Sequence, residues 1–332
     1  MAQKKVKDRD YLFLSSYIHA RENRLLSSAD LERMVSAASK IEVGRVLEEA
    51  GYEGIVGASI PALERKLTEK RLAFYRELET MAPDPAVLEI FRAKYDYHNA
   101  KAVIKGIAQK KAGTGSLSEL GRIPSKELME AIVRHETDDL PEILAQAVET
   151  AGEKLARTGS PQAADQILDN AYFRELTQLA QSTGSKGAEG YVKLLADMTN
   201  LRTAVRIQRQ KQPTHMLGLS LVEGGTVAPR TVVDAVAAGQ TVEEIFSGSE
   251  LKQAAAVGAA AIGGGTLTEF ERLCDSLMNR YCADIRQESF GPGALIAYLH
   301  FLENQDQAVR IIVISRAAGL RGDSVRERLR DV

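Results

Sequence analysis

Five histidines, two cysteines and a scatter of carboxylates are the residues in this 332-residue chain whose chemistry could catalyse a reaction or hold a metal. His19, His98, His135, His215 and His300 are widely separated. None stands in a His-x-x-x-His or His-Glu-x-x-His pair, the spacing that turns two imidazoles toward one zinc ion from a single helix face. Each reads as structural or solvent-facing. Asp138-Asp139 has the form of a carboxylate pair that holds Mg²⁺ against a diphosphate in all-α isoprenoid enzymes. Such a site needs a second acidic cluster facing the first, and none is evident. Just ahead of Leu140-Pro141-Glu142 the same two charges suit a helix N-terminus, where they are favourable by ~0.3–1 kcal/mol. Gly224-Gly225 and Gly263-Gly264-Gly265 lack the Gly-Lys-Ser/Thr ending of a phosphate-cradling loop and read as helix breaks. No catalytic, metal or cofactor site is expected, so the chain reads as a non-enzyme.

The polar residues that recur are more informative. Asn200, Arg202 and Arg206 interrupt apolar Leu201, Val205 and Ile207, and Asn99, Lys101 and Lys105 repeat the arrangement. Arg310, in Ala308-Val309-Arg310-Ile311-Ile312, is a third form with the Asn replaced. An unpaired charge inside a helix bundle is prohibitive, so basic groups on helices packed on several sides need partners. Arg76-Glu77 and Arg174-Glu175, one helix earlier, are candidates to supply them. A polar network that fixes the angle between two helices is one reading; a solvated basic stripe is the other, and the sequence favours neither.

The elements that must position these residues read as helices throughout. Apolar residues recur at spacings of three and four, as in Leu26, Leu31, Met34 and Val35 or in Leu140, Ile143, Leu144 and Val148. Two-residue alternation is nearly missing, so the fold class is all-α. Helix starts are expected at Ser28-Ala29-Asp30, Ser125 and Pro141-Glu142. Breaks are expected at Pro83-Asp84-Pro85, Gly113-Thr114-Gly115-Ser116, Gly159-Ser160-Pro161, Ser182-Thr183-Gly184-Ser185 and Gly291-Pro292-Gly293. With 44% apolar residues, 5% aromatic and no Trp, the core must come from Leu, Ile, Val, Met and Ala. The 43 Lys and Arg against 45 Asp and Glu argue against a nucleic-acid-binding surface spread over the whole protein. Cys274 and Cys282 fall eight residues apart in a helical segment, ~12 Å along the axis, too far to pair. With no CxxC pattern and no secretory signal at Met1-Ala2-Gln3-Lys4-Lys5, a reducing cytoplasm is expected. No apolar run reaches the ~18–20 residues needed to span a bilayer.

Repetition organises these elements. Ala73-Phe74-Tyr75-Arg76-Glu77-Leu78 returns 98 positions later as Ala171-Tyr172-Phe173-Arg174-Glu175-Leu176, with only the two aromatic residues exchanged. The Asn-x-basic element recurs at 101, from Asn99 to Asn200. The turn Gly121-Arg122-Ile123-Pro124 before one helix matches Gly225-Thr226-Val227-Ala228 before another at 104. Matching elements in one order at near-equal offsets point to internal duplication. Three units of about a hundred residues fill the chain, with boundaries expected at 1–91, 92–192 and 193–332. Open solenoids repeat every ~20–50 residues, which disfavours a stand-alone scaffold or adaptor binding another protein or RNA.

Tyr17-Ile18-His19-Ala20-Arg21 through Leu25-Leu26, the Asn-x-basic helices, and Phe290-Gly291-Pro292-Gly293-Ala294-Leu295-Ile296-Ala297-Tyr298-Leu299 leading into Val309-Arg310-Ile311-Ile312 carry a family likeness over essentially the whole chain. It resembles the C subunits of the rotary V-type/A-type ATPases of archaea and bacteria, the counterparts of the eukaryotic d subunit. Gln305-Asp306-Gln307 departs from that pattern in the last repeat. The resemblance implies three similar helical domains around a pseudo-threefold axis, forming a funnel that is monomeric within a larger complex. It implies a non-catalytic rotor part on the cytoplasmic face of the membrane, seated on the proteolipid ring and receiving the central-stalk subunits. No nucleic acid and no cofactor belong to that role. On this view the small-residue stretch Ala254–Gly265 is either a contact surface or, as favoured here, a tightly packed helix end.

Overall fold

Short polar caps set where the helices of this chain begin. Ser27 accepts a hydrogen bond from the Asp30 N–H while the Asp30 carboxylate reaches back to the Ser27 N–H, and Thr241 and Glu244 form the same reciprocal box. Ser39, Ser59, Ser160 and Ser185 each accept from the third residue of the helix that follows. The computed structural model describes residues 6–55, 58–109, 117–288, 291–326 and 328–329. The expected Gly113–Ser116 break, Phe290 and the start Met1–Lys5 lie outside the described residues.

Every regular element among the described residues is helical. After a 3-10 turn at Asp8–Tyr11 come α1 (Leu12–Glu22), α2 (Ser28–Ser36), α3 (Lys40–Glu49), α4 (Ile60–Met81), α5 (Ala86–Ala108), α6 (Ser125–Arg134), α7 (Glu142–Thr158) and α8 (Pro161–Thr183). They are followed by α9 (Lys186–Arg209), α10 (His215–Ser220), α11 (Pro229–Ala237), α12 (Val242–Ile245), α13 (Lys252–Ile262), α14 (Leu267–Arg286), α15 (Gly293–Ala317) and α16 (Gly322–Arg326). Two residues suffice to join α7 to α8 and α8 to α9: a left-handed glycine, Gly159 or Gly184 (φ 64° each), closes one helix and a serine cap opens the next. Asp138 and Asp139 are exposed in the turn ahead of α7, whose N-cap, Pro141, makes no side-chain bond. None of these helices is long and apolar enough to cross a membrane.

The chain divides into two units, each with its own core. The first joins Met1–Asp84 to Asp275–Val332. Here Leu31, Met34 and Val35 of α2, Val43, Val46 and Leu47 of α3, and Leu63 and Leu67 of α4 pack with Ala308, Val309 and Ile312 of α15. The opening of α15 is buried all round, from Ala294 to Leu299, as expected of a helix whose apolar residues cover every face. Tyr298 there meets Phe74 of the first hexapeptide, ring centroids 5.3 Å apart.

The second unit is Pro85–Cys274. Tyr97, Val103 and Ile104 of α5, Leu128 and Ile132 of α6, Leu144, Val148 and Leu155 of α7, and Leu168 and Ala171 of α8 form one cluster. In the remainder, α9 packs on α13 through small residues: Ala254, Ala255, Gly258 and Ala261 are buried. A Cβ added at Gly258 would lie 2.8 Å from Val205 Cγ2 and 3.1 Å from the Phe270 ring. Arg209 of α9 then donates to the Ala261 and Gly265 carbonyls, 2.8 and 2.6 Å, closing the end of α13. The small side chains of α13 thus serve close packing within the unit. Cys274 and Cys282 are buried on α14, and burial pushes the Cys282 thiol well above its ordinary value.

Two glycines should answer oppositely to a side chain. Gly258→Val has no room and is expected to destabilise by about 1–3 kcal/mol. Gly152→Ala on α7, where an added Cβ meets nothing within 4 Å, is expected to stabilise by about 0.5–1 kcal/mol. Thermal unfolding midpoints of the two variants should move in opposite directions.

Candidate functional site

The residues that stand out chemically are polar side chains buried inside the bundles, and what they hold is backbone. On α5, Asp96 and Asn99 lie one turn apart, both 0% exposed. Asn99 Nδ2 donates to the Ser118 carbonyl and its Oδ1 accepts from the Ser118 N–H, 2.8 Å each. On α9, Asn200 grips Val222 in the same two-way fashion, again at 2.8 Å in both directions. Asp96 Oδ1 accepts from the N–H groups of Arg122 and Ile123, 3.0 and 3.3 Å, and its Oδ2 accepts from Arg122 Nε at 2.6 Å. Asp197 does likewise for the Thr226 and Val227 N–H groups, 2.9 and 3.1 Å, with the Thr226 hydroxyl in place of the guanidinium. The glycine ahead of each gripped pair is required by closeness: a Cβ on Gly121 would lie 2.2 Å from Asp96 Oδ1, and one on Gly225 2.2 Å from Asp197 Oδ1. Asp-x-x-Asn on a helix and Gly at the loop are thus two halves of one clip.

A related grip occurs in the first unit. Gln305 of α15, 3% exposed, accepts from the Leu26 N–H at 2.6 Å, just ahead of α2. Its amide also donates to the Tyr52 hydroxyl, which donates to Asp306 at 3.3 Å. Asp306 in turn accepts from Arg71 of α4, whose guanidinium also reaches the Leu302 carbonyl at 3.0 Å. Burial raises the Asp306 carboxyl above its ordinary value even though Arg71 and Arg310 pull the other way.

The second kind of tie joins helix to helix through a glutamate. Glu77 of α4 accepts from the Tyr17 hydroxyl and, at 2.7 Å, from Arg21, both on α1. Glu175 of α8, 98 positions later, accepts from the Tyr97 hydroxyl of α5 at 2.7 Å and from Arg122 at 2.6 Å. Burial and the bond to Glu77 push the Tyr17 phenol up to about 12. Burial would lower the Arg122 guanidinium, but Glu175 and Asp96 outweigh it and raise it instead. The same opposition raises Asp96, where burial prevails over Arg122. Arg202 and Arg206 of α9 share one acceptor, Glu271 of α14, at 2.7 and 2.5 Å. Burial would raise that carboxyl, yet the two guanidinium groups hold it below the usual range.

The remaining residues singled out from sequence fall as follows. Lys101 pairs with Asp169 and Lys105 with Asp165, 3.1 Å, both on α8. Arg310 of α15 meets Glu64 of α4 at 2.8 Å. Arg76 and Arg174 are exposed. Asp96, Asp197, Asp169 and Glu271 were not singled out from sequence, and Arg122 was marked only as part of a repeated turn. The two aspartates were detectable, since they recur at the same 101-residue offset as the asparagines. The histidines stay apart, with His19 3.3 Å from Glu22 and His300 Nε2 2.8 Å from Asn279. Among the described residues no three His, Cys, Asp or Glu side chains converge as metal ligands. The carboxylates of these ties spend their lone pairs on cations, hydroxyls and backbone N–H groups, and the arrangement is mechanical: it locks helix to helix and loop to helix.

Two measurements test the ties. Gly121→Ala and Asp96→Ala attack one contact from opposite sides; each is expected to cost about 2–3 kcal/mol, and the double variant clearly less than their sum. Glu271 is held low in the folded state, so the stability it contributes is fully present above the ordinary value of 4.5 and lost as pH falls through its folded value beneath that. Glu271→Gln should therefore lower stability by about 1–3 kcal/mol at neutral pH and flatten the acid limb of the stability profile.

Comparison with known proteins assigns this framework. The family model for the ATP synthase (C/AC39) subunit matches residues 14–328. The C subunit of the V-type sodium ATPase of Enterococcus hirae is 22% identical over 328 residues, covering 97% of this chain and 99% of that protein. The C subunit of the V-type ATP synthase of Thermus thermophilus is 23% identical, covering 93% and 94%. The C subunit of the A-type ATP synthase of Methanocaldococcus jannaschii is 22% identical, covering 96% and 86%. With the match running through nearly every helix that carries a tie, the chain belongs to the ATP synthase (C/AC39) subunit family, as a structural and not a catalytic subunit of a V-type/A-type rotary ATPase.

Proposed function

We propose that the chain is the coupling piece of the rotor, linking the central stalk of the soluble ATP-hydrolysing sector to the membrane proteolipid ring and transmitting torque that drives proton or sodium transport. It would sit as a single copy on the cytoplasmic face of the membrane, built as three modules, 1–91, 92–192 and 193–332, around a pseudo-threefold axis. The observation that carries this reading is the triple grip: Asn99 on Ser118, Asn200 on Val222 and Gln305 on Leu26. The first two side chains hold a loop downstream of their own helix, whereas the third holds a residue near the start of the chain. The N-terminal stretch therefore supplies α15 with what residues 117–123 and 221–227 supply to α5 and α9, as expected of a chain that closes on itself.

Torque transmission asks for a body that does not yield, and close-packed helices with two-residue joints and buried polar ties have low compressibility. A funnel of three modules cannot meet every copy of a many-membered ring equivalently. Its ring contact is accordingly expected to be adaptable and separable, and its stalk socket to combine apolar walls with charges that set specificity.

Deletion of the chain is expected to leave ATP hydrolysis by the soluble sector intact while uncoupling it from ion transport; loss of hydrolysis in the isolated soluble sector would count against the proposal. Affinity purification of the tagged chain should bring down stalk and proteolipid subunits, and recovery of an isolated monomer or of nucleic acid would sink it.

A further inference from the structure

Within the Pro85–Cys274 unit, a cleft of about 770 Å³ opens between the end of α5, α6 and α7. Its walls are Ile104, Ile107, Ile132, Val133, Val148 and Leu155. Ile104, Ile132, Val148 and Leu155 are core residues seen from one side, but Ile107 and Val133 are 43% and 47% exposed. Exposed large aliphatic side chains beside a preformed apolar cleft extend its surface outward. That suits a segment lying along the cleft better than a compact molecule sealed inside it.

Charge selects the segment. Residues 125–158, which contain α6, α7 and the turn between them, carry eight Asp and Glu against four Lys and Arg, a net charge of −4 where the whole chain has −2. Glu149, Glu153 and Thr137 line the cleft itself, and Glu149 accepts a hydrogen bond from the Thr137 hydroxyl at 2.6 Å. Apolar walls with an acidic rim are complementary to a helix whose apolar stripe is flanked by Lys and Arg.

We propose that this cleft is a docking groove for a basic amphipathic helix of a partner protein, which lays its i, i+3, i+4, i+7 apolar face between α6 and α7 and its cations on Glu149 and Glu153. The groove plays no part in the ties described above, and its occupant is independent of the rotor assignment.

Gly152 offers a clean test, because it lines the cleft and an added Cβ there meets nothing within 4 Å. Gly152→Phe places a ring in the groove without altering a charge. The probe is a fluorescent 16-residue synthetic helix with Leu at helical spacing and Lys elsewhere, titrated onto the full chain alongside a second peptide in which Glu replaces Lys. The Lys peptide is expected to bind at least tenfold more tightly than the Glu peptide, and to lose tenfold or more on Gly152→Phe with the unfolding midpoint unchanged or raised. If Gly152→Phe does not fold, Val133→Asp on the exposed wall is expected to weaken the Lys peptide to the same degree. Equal binding of the two peptides overturns the proposal, as does undiminished binding to both groove variants, which would mark mere attraction to an acidic surface. Binding of a small apolar dye in the groove with no peptide bound, or concentration-dependent dimerisation abolished by Gly152→Phe, also overturns it by naming a different occupant.

Discussion

Everything else in the Pro85–Cys274 unit depends on a fully buried aspartate that spends its charge on a loop. A helical bundle with short joints must bring stretches of irregular backbone against its helices, and each N–H brought there needs an acceptor. Asp96 and Asp197 supply one oxygen pair each, and the asparagine one turn later supplies a two-way bond that copies a backbone pairing. The loop is thereby registered to the helix at two adjacent points, and the helix that starts just beyond it is aimed. Without the carboxylate, two backbone N–H groups would be orphaned, and in the first case the Arg122 Nε would lose its acceptor as well.

The clip tolerates changes in chemistry as long as its geometry survives. Arg122 contributes a guanidinium where Thr226 contributes a hydroxyl, and Tyr97 reaches Glu175 where Met198 at the matching position has no polar atom to offer. On α15 the asparagine gives way to Gln305, one methylene longer, and Tyr52 fills the remaining space as both acceptor and donor. Removing one member of such a network leaves its neighbours buried and unpaired, so single substitutions are punished more heavily than coordinated ones. Divergence between repeats accordingly follows partners together.

Much of the fold was readable from sequence because it rests on local rules: apolar spacing and Gly-Ser joints of two residues. Parts of the polar framework were readable too. Repetition at 98 and 101 residues marked Asn99, Asn200, Glu77 and Glu175, and each makes a side-chain hydrogen bond to a neighbouring helix or loop. Their partners were hidden, because a partner is defined by where two helices cross. For Lys101 and Lys105 the expected supplier was Glu77, one helix earlier on α4, but Asp169 and Asp165 of α8 are what they meet. Likewise the loop atoms held by Asn99 and Asn200 are backbone, which carries no signal in the identity of Ser118 or Val222. Asp96 was overlooked for a different reason: a lone aspartate within a helix is ordinary, and only its recurrence as Asp197 separates it from a solvated one.

A helical bundle could hold its arrangement by apolar packing alone, and much of this chain does: α13 approaches α9 so closely that a Cβ on Gly258 would lie 2.8 Å from Val205 Cγ2. Apolar packing, however, is permissive about register, since a helix that slides by one turn can bury a comparable area. Paired charges and two-way amide bonds are not permissive, because a slide of a few ångströms leaves them buried and unmet. Their net contribution to stability is modest at about 1 kcal/mol per bond, while their penalty for displacement is several times that. The ties therefore act as a steep wall around one arrangement of helices and loops, and resistance to displacement, more than depth of the well, is what the proposed torque-bearing role requires.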